Sequence, residues 1–228
     1  MNYTDKASKH PELVQLYEDN DFIMAYAKHT DLRIKEDGPH LAIGAREAAD
    51  QGWDVHGKLQ LDFLIAQGLK PKHRLLDIGC GTGRLARKVV PYLETGNYTG
   101  IDISNGVINN CLQLAESEGF ADKKPLFILG NGTLKSIRET KFSYVWAHSV
   151  FTHNPPEMVE QFFRRLSEME WKVFLFTFKQ SDELKRSGLK QFQYPHTWFF
   201  HLGHKYGFKL ENLDKEWPSS QKAIRVTR

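Results

Sequence analysis

The run Leu75-Leu76-Asp77-Ile78-Gly79-Cys80-Gly81-Thr82-Gly83-Arg84-Leu85 constrains this chain more than any other stretch. Leu75, Leu76 and Ile78 give the short apolar run of a buried parallel strand, which breaks into three alternate glycines and then a helical pattern. Glycines at alternate positions let backbone approach a ligand where any Cβ would collide. Asp77 stands at the carboxyl end of the strand, where open α/β sheets bind their ligands. A nucleotide-like ligand is the first expectation.

The spacing narrows it. A dinucleotide fingerprint, G-x-G-x-x-G, needs its third glycine at the position held by Arg84, which argues against a nicotinamide oxidoreductase. The chain instead reads D-x-G-x-G-x-G from Asp77 to Gly83. A second run, Asn97-Tyr98-Thr99-Gly100-Ile101-Asp102-Ile103-Ser104, ends in another acid about 20 residues past the glycines, where a carboxylate can accept hydrogen bonds from ribose hydroxyls. The first pattern resembles the first motif of class I S-adenosylmethionine-dependent methyltransferases, and Asp102 matches the acid that holds both ribose hydroxyls in that family. The resemblance covers about Gly57 to Arg228 by order of elements. It implies that Asp77, Gly79, Cys80, Gly81, Gly83, Asp102 and Ile103 bind S-adenosyl-L-methionine. Where the family usually carries an Asp that reads the adenine edge, this chain has Asn131, whose amide can both accept and donate, followed by Gly132. His148, after the fourth predicted strand, falls where the family packs backbone against the methionine moiety.

Length and patterning agree with this. A chain of 228 residues has room for one α/β domain and not for two comfortable ones. Residues 1–228 are therefore expected to form a single domain, with 1–72 a helical N-terminal cover and 73–228 the cofactor-binding core. Leu13, Leu16, Tyr17, Ile23, Met24, Tyr26 and Ala27 recur at roughly helical spacing in the cover. Gly52-Trp53-Asp54-Val55-His56-Gly57 is expected to interrupt it before a helix over Lys58 to Gln67. Beyond the glycines, helical patterns over Thr82 to Leu93, Gly106 to Gly119, Pro155 to Met169 and Pro195 to Tyr206 alternate with apolar runs at Leu126 to Leu129, Phe142 to Ala147 and Val173 to Phe178. Such alternation means a parallel sheet with helices on both faces. The last runs, Phe208 to Leu213 and Ala223 to Thr227, are joined by too few residues for a crossover helix and are expected to pair antiparallel. The fold class is α/β, a Rossmann-like three-layer sandwich with a seven-stranded, mostly parallel sheet and a C-terminal antiparallel hairpin.

A net charge of +3 does not by itself call for a nucleic-acid groove. The two cysteines, Cys80 and Cys111, have neither metal-ligand nor disulfide-framework spacing and read as reduced thiols. The polar stretch Met1 to Asn20 and the lack of any 18-residue apolar run lead to an expected cytoplasmic protein with no membrane partner.

The acceptor side is less legible. Ser149 and His153 follow the fourth strand, and His153 could take the proton of a hydroxyl or phosphate acceptor, with an acidic limb below about pH 6.5. Tyr194 and His196, at a loop-to-helix junction, and Trp53, on a glycine-flanked loop able to cover the cofactor, complete the substrate-binding set. Asn154-Pro155-Pro156-Glu157 reads as a capping box with Asn154 at the cap and Pro155 in the first helical position. The scattered histidines make no zinc-like set, so no metal is expected. The expected function is methyl transfer from S-adenosyl-L-methionine to an O or N atom of a small molecule. RNA or protein acceptors, or a non-catalytic cofactor-binding homologue, are the alternatives.

Overall fold

The computed structural model describes residues 10–19, 22–42, 49–138, 141–215, 217 and 220–228. Residues 1–9, 20, 21 and 43–48 of the expected cover lie outside the described residues. Helices α1 (Pro11–Glu18), α2 (Phe22–Asp37), α3 (Pro39–Ala42) and α4 (Ala49–Ala66) precede the sheet. Then come β1 (Leu75–Ile78), α5 (Ala86–Tyr92), β2 (Tyr98–Asp102), α6 (Asn105–Ser117), β3 (Leu126–Leu129), β4 (Tyr144–Ala147), α7 (Pro156–Ser167) and β5 (Val173–Lys179). A short ribbon, β6 (Lys185–Arg186) with β7 (Phe192–Gln193), leads to α8 (His196–Lys205), β8 (Lys209–Leu213) and β9 (Gln221–Thr227).

The seven-stranded sheet has the order β3-β2-β1-β4-β5-β9-β8. Strand β9 runs antiparallel to both neighbours, pairing Phe176 with Ile224 on one side and Asn212 with Ile224 on the other. The remaining pairs are parallel, with Leu76 opposite Thr99 and Val145. Because neighbouring side chains alternate faces, Leu76, Phe174 and Phe176 pack on one side with Phe151, Phe163 and Phe199, while Leu75, Trp146 and Leu175 pack on the other with Leu64, Val89 and Val90. Each phenylalanine fully buried in this way contributes about 1.5–3 kcal/mol.

Three local readings are corrected. The helix expected from Thr82 begins at Ala86, because Gly79, Gly81 and Gly83 hold φ of 66°, 55° and 90°, which no right-handed helix accommodates. The stretch 52–57 does not interrupt the cover: it lies inside α4. Gly57 sits in that helix because a Cβ there would run into the Arg84 carbonyl oxygen, so its absence lets α4 press against the glycine loop. Asn154 is not the cap of α7. Pro155 is the flanking residue, extended at φ −67° and ψ 160° as a residue before proline must be, and Pro156 takes the first helical position. Asn154 is instead buried, and with its amide assigned by its surroundings the nitrogen donates to the carbonyls of Val150 (3.1 Å) and His153 (3.2 Å).

The end of α8 is set by a glycine. Gly207 adopts φ 75°, and the Gly207 and Phe208 N–H groups donate to His204 and Gly203 carbonyls, the paired bonds of a Schellman motif. The β6–β7 ribbon had no counterpart in the sequence reading. Among the described residues, no helix is long and apolar enough to cross a membrane.

Candidate functional site

One cavity opens at the carboxyl ends of β1, β2 and β4 and is roofed by α2. Asp77, Gly79, Cys80, Gly81, Asp102, Ile103, Gly132 and His148 line it, as do Ser149 and His153. The glycine loop is tied to the neighbouring strand: Gly79 and Cys80 N–H donate to the Ile101 carbonyl (2.8 and 3.1 Å), and Gly81 N–H donates to Asp102 Oδ2 (3.1 Å). Asp102 Oδ1 accepts from Ser104 N–H (3.2 Å). Burial pushes the Asp102 carboxyl up to about 6, and the backbone N–H groups of Ser104, Gly81 and Ile103 hold it from rising further. Asp77 is buried more deeply. Its Oδ2 accepts from Tyr98 OH (2.8 Å), and desolvation pushes it up to about 7. Arg84 lines the same wall; burial draws it down to about 10, and its Nε is a buried donor without a partner.

Five expected site residues lie elsewhere, each for a local reason. Gly83 faces α6, where a Cβ would meet Leu114 Cδ2 at 2.8 Å, so this glycine serves helix packing. Asn131 is exposed, and its Oδ1 accepts from its own turn at Thr133 N (3.3 Å) and Thr133 Oγ1 (2.7 Å). Trp53 is 1% exposed within α4 and stacks on His40 with ring centroids 4.3 Å apart, which excludes the mobile covering loop. Tyr194 is buried and spends its hydroxyl on the Asn154 carbonyl at 2.5 Å. His196 opens α8 and sets its ring edge-on to Phe200, away from the cavity.

The wall beyond β4 holds two imidazoles whose tautomers are set by their partners. Thr177 Oγ1 gives its proton to Gln221 Oε1 (2.6 Å) and accepts from Ser149 N–H (2.8 Å). Toward His148 Nδ1, 3.3 Å away, it can therefore only accept, so Nδ1 carries the hydrogen and Nε2 the lone pair. Burial, reinforced by Arg84, keeps His148 neutral, its pKa well below 6.5. Gln221 Nε2 also donates to Ser149 Oγ (2.9 Å), and Ser149 holds a left-handed φ of 61°. In His153, Nδ1 lies 2.8 Å from the Lys190 carbonyl, an oxygen that can only accept, so Nε2 is again the unprotonated atom. Burial lowers His153 to about 4, with the Lys190 charge acting in the same direction. The expected acidic limb near pH 6.5 is thereby corrected downward.

Several lining residues escaped the sequence reading. Tyr26, Thr30 and Arg33 reach the cavity from one face of α2. Their i, i+4, i+7 spacing is a signal that could have been read. Lys190, before β7, had no such signal: its only local context is a polar turn, and long-range folding brings it beside Tyr26 and His153.

Comparison with known proteins points the same way as the geometry. Residues 76–169 match the model of the methyltransferase domain family. Over 89 residues the chain is 34% identical to the sterol 24-C-methyltransferase erg6 of Schizosaccharomyces pombe, covering 39% of this chain and 23% of that protein. The match therefore spans less than a quarter of these curated relatives. Among solved structures, magnesium protoporphyrin IX methyltransferase (ChlM) from Synechocystis PCC 6803 with bound SAH superposes with a TM-score of 0.66 at 14% identity, covering 89% of this chain and 99% of that one. The PH0226 protein of Pyrococcus horikoshii OT3 gives 0.61 at 18% identity, over 79% and 93% of the two chains. Residues 76–169 thus match a methyltransferase domain, and the 3-2-1-4-5-9-8 sheet gives the chain the Rossmann-like fold of those solved structures.

Proposed function

We propose that this chain is a methyltransferase that moves the methyl group of S-adenosyl-L-methionine to an O or N atom of a small molecule, acting as a single domain in which 1–72 covers the core 73–228. The observation that carries the reading is the pairing of Gly81 N–H with the Asp102 carboxylate on the wall of the cavity that also holds His153. Asp102 retains lone pairs for two ribose hydroxyls. Arg84 Nε, a buried donor still in want of an acceptor, suits the carboxylate of the cofactor's methionine portion. Asp77, Gly79, Cys80, Ile103, Gly132 and His148 form the remaining cofactor wall. Gly79 keeps φ 66° and stands where a Cβ would meet Val150 Cγ2 at 2.6 Å.

S-adenosyl-L-methionine, when bound, supplies a methyl group already activated on a sulfonium. The protein then has to align the acceptor, exclude water and deal with one proton. His153 Nε2 is free to accept a proton while Nδ1–H stays on the Lys190 carbonyl, and its depressed pKa keeps it unprotonated across neutral pH. Ser149 Oγ, held by Gln221, is a second polar contact for the acceptor. A small acceptor is favoured over RNA or protein because α2 roofs the site, and because similar proteins are named for a sterol and for magnesium protoporphyrin IX. A reducing, cytoplasmic setting suits Cys80 and Cys111, which are free and buried, with Cys111 Sγ donating to the Gly81 carbonyl at 3.1 Å. Calorimetric titration with S-adenosylhomocysteine, followed by labelled-methyl transfer into a metabolite extract, tests the reading. No binding refutes it; binding without transfer into any extract component favours the non-catalytic homologue.

A further inference from the structure

The helix that roofs the cavity is fastened to the core beside the ribose-binding acid. Asp31, on α2 between the cavity-lining Thr30 and Arg33, has Oδ1 accepting from Ser104 Oγ at 2.5 Å and from Gly106 N–H at 3.0 Å. Ser104 caps α6: its Oγ accepts from Val107 N–H (3.0 Å), while its own N–H donates to Asp102 Oδ1 (3.2 Å). A single serine therefore joins a carboxylate of the cover to Asp102. Ser104 is fully buried, so its hydroxyl proton depends on Asp31 for an acceptor. The cap of α6 needs only the serine, and Asp31 adds a tie between two elements far apart in the chain. Position 106 is built for that approach. A Cβ there would stand 2.8 Å from Asp31 Oδ1 and 3.3 Å from Ile34 Cδ1, whereas its backbone lies outside the left-handed region that favours glycine. Ile34, three residues after Asp31, packs on the cluster of Cys80, Val107, Ile108 and Cys111, which includes a residue of the glycine loop.

Resting on the methyltransferase reading above, we propose that Asp31 is a positioning residue for the cofactor: by holding Ser104 it fixes the Asp102 carboxylate for the ribose hydroxyls, and because it belongs to the roof helix it makes closure of the roof and alignment of that carboxylate one event. Asp31 is not among the residues that line the cavity, so it acts through its neighbours. Asp102 is held at both oxygens, Oδ1 by Ser104 N–H and Oδ2 by Gly81 N–H. Removing Asp31 loosens the first hold and leaves the second. The same bond sets where Thr30 and Arg33, its neighbours on α2, stand over the cavity.

The test is a double-mutant cycle read by calorimetric titration with S-adenosylhomocysteine at pH 8, where Asp102 is ionised with or without Asp31. Asp31→Ala should weaken binding about tenfold in the wild-type background and about threefold or less in Asp102→Ala, where the carboxylate it positions is gone. A purely structural Asp31 would cost the same in both. Asp31→Asn keeps an acceptor oxygen for Ser104 and Gly106 and should recover affinity to within about threefold of the wild type. Circular dichroism checks each variant. If Asp31→Ala does not fold, Gly106→Ala decides the matter, since its methyl group displaces the Asp31 carboxylate without removing a polar group, and its loss of affinity should likewise depend on Asp102. Equal losses in the two backgrounds, no loss in either, or an asparagine that fails to recover binding each overturn the proposal while leaving the methyltransferase reading intact. Failure of the wild type to bind S-adenosylhomocysteine refutes that reading and the proposal with it.

Discussion

Replacing Lys190 by methionine should make the ligand-free protein more stable at neutral and acidic pH, and the margin follows from where the ammonium sits. A lysine drawn from 10.5 to about 7 costs the folded state about 5 kcal/mol when both folded and unfolded chains carry the proton. Below about pH 7 that cost is fully present. Between 7 and 10.5 the unfolded chain binds more protons than the folded one, so wild-type stability gains with rising pH across this window, and above 10.5 the cost is gone. Methionine keeps the length of the side chain and its contact with the Tyr26 ring but carries no charge. Allowing for local relaxation, Lys190→Met should exceed the wild type by about 2–5 kcal/mol at pH 6, with the gap closing toward pH 10. Urea unfolding of both proteins at pH 6, 8 and 10, free of cofactor, measures it. A gap that stays constant with pH, or a wild type more stable than the variant at pH 6, would show that Lys190 is not a desolvated cation.

Asp102→Ala should weaken S-adenosylhomocysteine binding by about 1.5–3 kcal/mol, read by calorimetry on folded protein, because charge-assisted hydrogen bonds to a carboxylate are lost; an unchanged dissociation constant removes Asp102 from the site. Gly81→Val should retain the circular dichroism spectrum yet lower cofactor affinity by at least about tenfold, since a β-branched residue resists φ 55° and disturbs the N–H held by Asp102. His153→Ala should reduce turnover about 10²–10⁴-fold with little change in cofactor affinity if the acceptor must lose a proton. The wild-type acidic limb should then lie near pH 4 and be missing from the variant. A limb that persists in His153→Ala belongs to another group.

What could be read from the chain divides along physical lines. Local hydrophobic runs beside glycine specify strands almost by themselves, so the buried Leu75–Ile78 and the edge strand Leu126–Leu129 were both legible, although Leu126 and Leu129 are exposed. The β9 insertion between β5 and β8 was legible only as an antiparallel pair, because which partner lies on the far side depends on the whole sheet. Helix interiors with glycine misled: Gly52 and Gly57 read as breakers, whereas Gly57 is small for the sake of a tertiary contact with Arg84 that no local pattern records. The cavity lining at the glycine loop was legible because one strand-turn-helix supplies most of it, whereas Gly83 and Asn131 lie off the cavity because a neighbouring helix or the turn itself has claimed the group. The proposed acceptor wall is assembled from α2, the 3-10 turn Phe151–His153 and the segment before β7, so no single spacing in the sequence announces it.

The site holds two acids pushed up within one cavity, and that has a thermodynamic consequence for the cofactor. Perturbed groups of this kind collect at functional sites. Ribose hydroxyls donating to Asp102 stabilise its ionised form, so its value falls from about 6 on cofactor binding and protons are released, most of all below pH 6. Asp77 keeps Tyr98 as its donor throughout and lies behind the loop, so its titration near 7 changes less. Cofactor binding should therefore tighten as pH rises through 6. Calorimetry with S-adenosylhomocysteine in buffers of different ionisation enthalpy reads the sign directly. Proton uptake on binding would mean that Asp102 gains no donors from the cofactor.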